Sequence, residues 1–167
     1  MVLEHIESRA ELVLKRAGVD RLPVPVEEVA AKHHVRISRA PHSSLSGLLI
    51  RKESRALIGI NSREAPARQR FTIAHELGHY FLHETKDAFV DYRDNASGIA
   101  RSPREREANM FAAALLMPRR QLLKDCRALA RDGILETEVA TLARRYAVSE
   151  EAMRFRLINL NLLALGR

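Results

Sequence analysis

Residues 65–83 read APARQRFTIAHELGHYFLH. Pro66 suits the first turn of a helix, where its missing N–H would have no partner anyway. Phe71, Ile73, Ala74, Leu77, Phe81 and Leu82 leave the segment little polar face, so a buried helix is expected over 65–83. Set into it is His75-Glu76-Leu77-Gly78-His79. Positions i and i+4 lie one turn apart on one side of a helix, so both imidazoles reach a common point with Glu76 beside them. Burying these three side chains without partners would cost on the order of several kcal/mol. A metal ion removes that cost.

Two neutral imidazoles suit Zn²⁺, and one ion per chain is expected, with a third protein ligand and an open fourth position. A water in that position has its pKa lowered toward about 7, and Glu76 stands ready to take its proton. This is the arrangement of a zinc peptidase. Where a third histidine would follow in one such pattern, with Gly at 82 and His at 85, the chain has Leu82 and Thr85. The cysteine ligand of a deformylase lies upstream of the motif, whereas Cys126 lies downstream in a basic helix. A carboxylate on a second helix remains, either Glu105 or Glu107.

That second helix has a readable start. Ser102, Pro103 and Glu105 make an N-cap, a first-position proline and a capping box, which gives Glu105 a structural task. Glu107 is accordingly the expected third ligand. The small residues Ala108, Ala112 and Ala113 would let this helix come close to Gly78.

Outward from these helices, Leu3, Ile6, Ala10, Val13, Leu14 and Ala17 repeat at helical spacing before Gly18, predicting a helix over 3–17. VEEVAAKHH predicts a short helix and VRIS a strand, and Gly47–Arg51 with Ala56–Asn61 predict a hairpin across KESR. The second of these strands is read as an edge able to take a substrate by strand addition. The polar run 84–101 is read as a long surface loop or lid. Beyond Pro118 a helix over RRQLLKDCRALA is followed by two more, broken at Ala147 and Val148, with Ser149 capping the last. The fold class expected is α+β: a small mixed or antiparallel sheet, the buried histidine helix, a glutamate ligand helix and flanking helices. Residues 1–118 are read as the core domain and 119–167 as a C-terminal helical segment packed on it.

The chain has 167 residues, a formal net charge of +7, 5% aromatic residues and no Trp. Stacking platforms for single-stranded nucleic acid would therefore rest on a few scattered rings. With a single cysteine no internal disulfide can form, which points to a reducing compartment, the cytoplasm. Glu4, Glu7 and Glu11 interrupt the first residues, so neither a signal peptide nor a membrane association is expected. The charge, carried by Arg104, Arg106, Arg119, Arg120 and Lys124 among others, is read as attracting an acidic protein partner.

HELGHYFLH, EREANMFAAALLMP, the preceding QRFTIAHE and the strands GLLI and ALIGIN together resemble the ImmA/IrrE family of bacterial cytoplasmic metallopeptidases over roughly residues 20–165. The resemblance implies His75, His79 and Glu107 as zinc ligands and Glu76 as the catalytic residue. It further implies a protein substrate, a helix-turn-helix repressor cleaved in a stress response or in control of a mobile element.

A zinc peptidase also needs a donor for the developing oxyanion. His83 and Tyr92 are the first candidates, with Tyr80 and Arg93 behind them. His83 has two other readings, a side chain that orients a ligand or a plain histidine favoured by the helix C-terminus. The competing function is a DNA-binding regulator with a structural or inactive metal site. In that reading VATLARRYAVSEEAMRFRLINL forms a helix-turn-helix and presents Arg154, Arg156 and Asn159 to a major groove. Glu150 and Glu151 stand where phosphates would approach, which weighs against it.

Overall fold

The computed structural model describes residues 2–52, 55–83, 102–129 and 134–163, together with the backbone of 88–92. Its elements run α1 (Val2–Ala17), α2 (Val26–Lys32), β1 (Val35–Ala40), β2 (Leu45–Lys52), β3 (Arg55–Asn61), α3 (Pro66–Leu82), β4 (Ala88–Tyr92), α4 (Pro103–Leu116), α5 (Arg119–Leu129), α6 (Glu136–Tyr146) and α7 (Glu150–Asn159). The α+β expectation holds. No described helix is long and apolar enough to cross a membrane.

The strands form a mixed sheet in the order β1-β3-β2-β4. β2 and β3 are the expected hairpin, paired from Gly47↔Ile60 to Lys52↔Arg55. β1 lies parallel to β3 along its other side, from Val35↔Ala56 to Ala40↔Asn61. β3 is therefore central, and strand addition along Leu57–Asn61 is ruled out because both of its sides are already paired. The Ala-Leu-Ile-Gly-Ile run of β3, with Ala56, Ile58 and Ile60 buried, suits that inner place. The run read as a loop or lid contains β4, antiparallel to β2 from Ile50↔Ala88 to Leu45↔Tyr92, with a register shift between Leu45 and Gly47. The rest of that run, 84–87 and 93–101, lies outside the described residues.

The skipped residue at the shift is Ser46, whose hydroxyl donates to Glu64 Oε1 at 2.8 Å. Its neighbour Gly47 faces α3 at very short range, since a Cβ there would stand 2.4 Å from Thr72 Cγ2. On the sheet the histidine helix thus settles at a distance that only a glycine permits.

A continuous buried apolar cluster joins Ile6 and Val13 of α1, Ile58 of β3, Leu77 of α3, Phe111 and Leu115 of α4, and Leu142 and Leu157 of the last two helices. Arg156 of α7 pins the C-terminal helices to this core. It is buried, donates from Nε to Met117 O at 3.1 Å, and pairs through both terminal nitrogens with the Glu7 carboxylate. Arg70 makes a second tie, donating to Val24 O at 2.8 Å and to Ala147 O at 3.1 Å. The break before α7 falls at Ala147, left-handed at φ 52°, and Ser149 caps the helix by accepting from Ala152 N at 3.1 Å, both as expected.

Candidate metal centre

Every residue from Thr72 to His79 is buried, the polar ones included. The sheet covers α3 on one side. α4 meets it where Gly78 lies against Ala108, and a Cβ on Gly78 would come within 2.9 Å of Ala108 Cα and 3.0 Å of its carbonyl oxygen. Arg51 of β2 closes the end of α3, donating to His79 O at 2.9 Å and to Tyr80 O. Its guanidinium carbon stands 4.6 Å from the Tyr80 ring centroid, so that ring is engaged at the helix end.

Three donors converge between α3 and α4. Glu105 Oε2 lies 3.2 Å from His75 Nε2, Glu105 Oε1 lies 3.3 Å from His79 Nε2, and the two Nε2 atoms are 3.1 Å apart. Ligand atoms of this trio all fall within 4.8 Å of one another. The two imidazoles beside it outweigh burial and hold the Glu105 carboxyl well below the usual carboxylate range. Burial pushes the His79 imidazole toward its neutral form, although Glu105 works against this.

The far side of each imidazole is also engaged. His75 Nδ1 is 2.9 Å from Asn109 Oδ1, and His79 Nδ1 is 3.0 Å from His83 Nδ1. His83 Nε2 in turn lies 3.0 Å from Glu107 Oε2. With Asn109 Oδ1 accepting, the His75 proton sits on Nδ1 and leaves Nε2 as a lone pair. The chain through His83 to the Glu107 carboxylate has the same sense: Nε2–H of His83 donates to Glu107, His83 Nδ1 accepts, and His79 Nδ1–H donates. Two Nε2 lone pairs and a carboxylate directed at one point are a donor set that fits a cation of the Zn²⁺ kind.

Glu76, next to His75 in the chain, faces the sheet. It is wholly buried, with Oε1 3.0 Å and Cγ 3.5 Å from the place a Gly47 side chain would begin. The glycine of β2 thereby makes room for the glutamate of α3.

The expectation for the third donor needs correction. Glu105, and not Glu107, stands against the histidines, while Glu107 pairs with His83. Ser102 does cap α4, accepting from Glu105 N at 3.2 Å, but this uses the backbone N–H of Glu105 and leaves its carboxylate to turn toward α3. Glu105 and Asn109 are one helical turn apart and so reach the same imidazole. Two further residues along, at about 100° each, carry Glu107 to a different side of α4. Asn109 escaped the sequence reading, and its signal was that same i, i+4 spacing from a glutamate.

A family model described as the IrrE N-terminal-like domain of the M78 peptidases matches residues 30–158. The chain belongs to this family. Among relatives of this IrrE-like domain, the radiation response metalloprotease IrrE of Deinococcus deserti is 43% identical over 94 residues, which cover 56% of this chain and 32% of that protein. Metallopeptidase ImmA of Bacillus subtilis is 29% identical over 117 residues, covering 70% of this chain and 66% of that protein. The chain thus spans about a third of the IrrE sequence and just under two thirds of ImmA. In fold, a solved Mycobacterium tuberculosis transcriptional regulator superposes with a TM-score of 0.61 at 18% identity, over 92% of this chain and 46% of that one.

Other candidates in the IrrE-like domain are placed elsewhere or outside the described residues. Both ring nitrogens of His83 are occupied by His79 and Glu107, which removes it as an oxyanion donor. Tyr92 pairs through its backbone with Leu45, its side chain lying outside the described residues, as does all of Arg93. Of the proposed DNA contacts, Arg156 is buried in the core and Arg154 is clamped by both Glu136 oxygens, leaving Asn159 exposed. The helix-turn-helix reading fails at Arg156 because α7 turns that face inward to hold α1. Cys126 is buried and its thiol is pushed up to about 11, chiefly by burial, which makes it an inert packing residue.

Proposed function

We propose that this IrrE-like domain is a zinc-dependent endopeptidase of the cytoplasm, with His75, His79 and Glu105 holding the metal and Glu76 acting as general base. The observation that carries this reading is the convergence of both Nε2 atoms and the Glu105 carboxylate on one point, on the helix that also buries Glu76. Zn²⁺, when bound, supplies Lewis acidity toward the scissile carbonyl and lowers the pKa of an adjacent water. Glu76 takes a proton from the attacking water and later delivers one to the leaving amine nitrogen. Asn109 and His83 keep the two imidazoles in the tautomer that turns Nε2 inward.

The substrate in this proposal is a helix-turn-helix transcriptional repressor, cleaved in a stress response or in control of a mobile element. Relatives named as a radiation response metalloprotease and as a metallopeptidase support cleavage of a protein and, in the first case, a place in a stress response. Arg104 and Arg106, exposed on either side of Glu105 in the chain, favour an acidic segment at the site. The test mixes purified protein and zinc with the helix-turn-helix regulator encoded nearest to it. A discrete cleavage product is expected, absent with Glu76→Gln although that variant still binds zinc. Undiminished cleavage by Glu76→Gln would overturn the mechanism.

A further inference from the structure

We propose that His83 and Glu107 are positioning residues for the metal site: the line Glu107–His83–His79 fixes the ring of His79 and directs its Nε2 at the metal. The inference rests on the metal-centre reading above and assigns a task to two residues outside the trio of convergent donors.

The geometry is consecutive. Glu107 Oε2 to His83 Nε2 is 3.0 Å, and His83 Nδ1 to His79 Nδ1 is 3.0 Å. Both histidine side chains are buried, whereas that of Glu107 is 35% exposed. The carboxylate can only accept, so its partner nitrogen on His83 must carry the proton. His83 Nδ1 is then an acceptor, and the proton between the two rings belongs to His79. That leaves the His79 Nε2 lone pair facing Glu105 and His75.

Two different helices supply the line. His83 is the C-terminal cap of α3, with extended backbone at φ −117° and ψ 116°, so its side chain folds back over the last turn toward His79. Glu107 reaches it from α4, the element that also supplies Glu105 and Asn109. A single helix therefore contributes the third donor, the outer hydrogen bond of His75 through Asn109 and, through Glu107, the partner that holds His83 against His79. Losing such outer partners commonly weakens metal binding about 10–100-fold.

The experiment is zinc binding by the intact chain, measured with Zn²⁺ alone against a chromogenic chelator, alongside the unfolding midpoint of the zinc-free protein. Wild type is expected to bind one Zn²⁺, and Glu105→Ala to lose that binding. His83→Ala and Glu107→Ala are expected to bind about 10–100-fold more weakly with the zinc-free midpoint little changed. His83→Asn, whose side-chain oxygen can still accept from His79 Nδ1, is expected to recover most of the loss. Should His83→Ala fail to fold, the part-exposed Glu107→Ala decides. Wild-type affinity in Glu107→Ala would overturn the inference while leaving the metal centre intact, as would a His83→Ala loss that Asn does not recover. Failure of the wild type to bind zinc would instead overturn the metal centre itself, and the inference with it.

Discussion

Gly78 of α3 lies against Ala108 of α4 with no room for a methyl group, a Cβ there standing 2.9 Å from Ala108 Cα and 3.0 Å from its carbonyl oxygen. Both neighbours are backbone atoms, which cannot rotate away. In an exposed helix Gly→Ala gains about 1 kcal/mol from propensity. Here overpacking at about 1–3 kcal/mol should outweigh it. Gly78→Ala is expected to lower the melting temperature by several degrees and to weaken zinc binding, because α4 carries Glu105. Calorimetry with a chelator titration checks both; a more stable variant with unchanged zinc affinity would contradict the close packing.

Gly47 gives the complementary prediction for chemistry without metal loss. A methyl there meets Thr72 Cγ2 at 2.4 Å and Glu76 Oε1 at 3.0 Å. Gly47→Ala should displace Glu76 while leaving His75, His79 and Glu105 in place. The rate of cleavage is then expected to fall toward the loss of general-base catalysis, about 10²–10⁴-fold, at near wild-type zinc affinity. Steady-state kinetics on the zinc-loaded variant separates the two quantities.

Arg156 is a structural residue in a helix that resembles a recognition helix. Removing one partner of a buried pair costs about 3–5 kcal/mol, and Arg156→Ala also leaves Met117 O without its donor. Arg154, paired with Glu136 at the surface, should contribute under about 1 kcal/mol. Urea unfolding of Arg156→Ala and Arg154→Ala is expected to show a large shift for the first and almost none for the second. Equal small shifts, together with lost binding to duplex DNA, would restore the regulator reading.

Asp125 of α5 makes part of the stability dependent on acid. Burial alone would raise its pKa, but hydrogen bonds from Arg145 and Tyr146 outweigh burial and hold it below the ordinary aspartate value. A carboxyl with a depressed folded-state pKa contributes stability that is full above its unfolded value and lost as pH falls through the folded one. Wild type should therefore exceed Asp125→Asn in melting temperature at neutral pH. The difference should shrink once pH drops below about 4, where the unfolded-state carboxyl protonates. A difference that stays constant down to pH 3 would remove the ion pair as its cause.

Much of this architecture is written locally. The apolar helix with histidines one turn apart, the Ser102 and Ser149 caps and the β2–β3 hairpin each follow from a few neighbouring residues. What escaped the sequence is non-local. AFVDY at 88–92 becomes a strand because β2 offers it an edge, and β3 becomes central because β1 returns alongside it in parallel. The choice between Glu105 and Glu107 turned on a subtler point. A helix cap needs the backbone N–H of its third residue, so Glu105 serves the cap and the metal site together, through different atoms.

The most direct test of the metal centre is an anomalous difference map at the zinc edge from crystals of the zinc-loaded protein. The prediction is one peak per chain, about 2.0–2.2 Å from His75 Nε2, His79 Nε2 and a Glu105 carboxylate oxygen, with Glu107 still on His83. A peak ligated by Glu107, or none between α3 and α4, would contradict it.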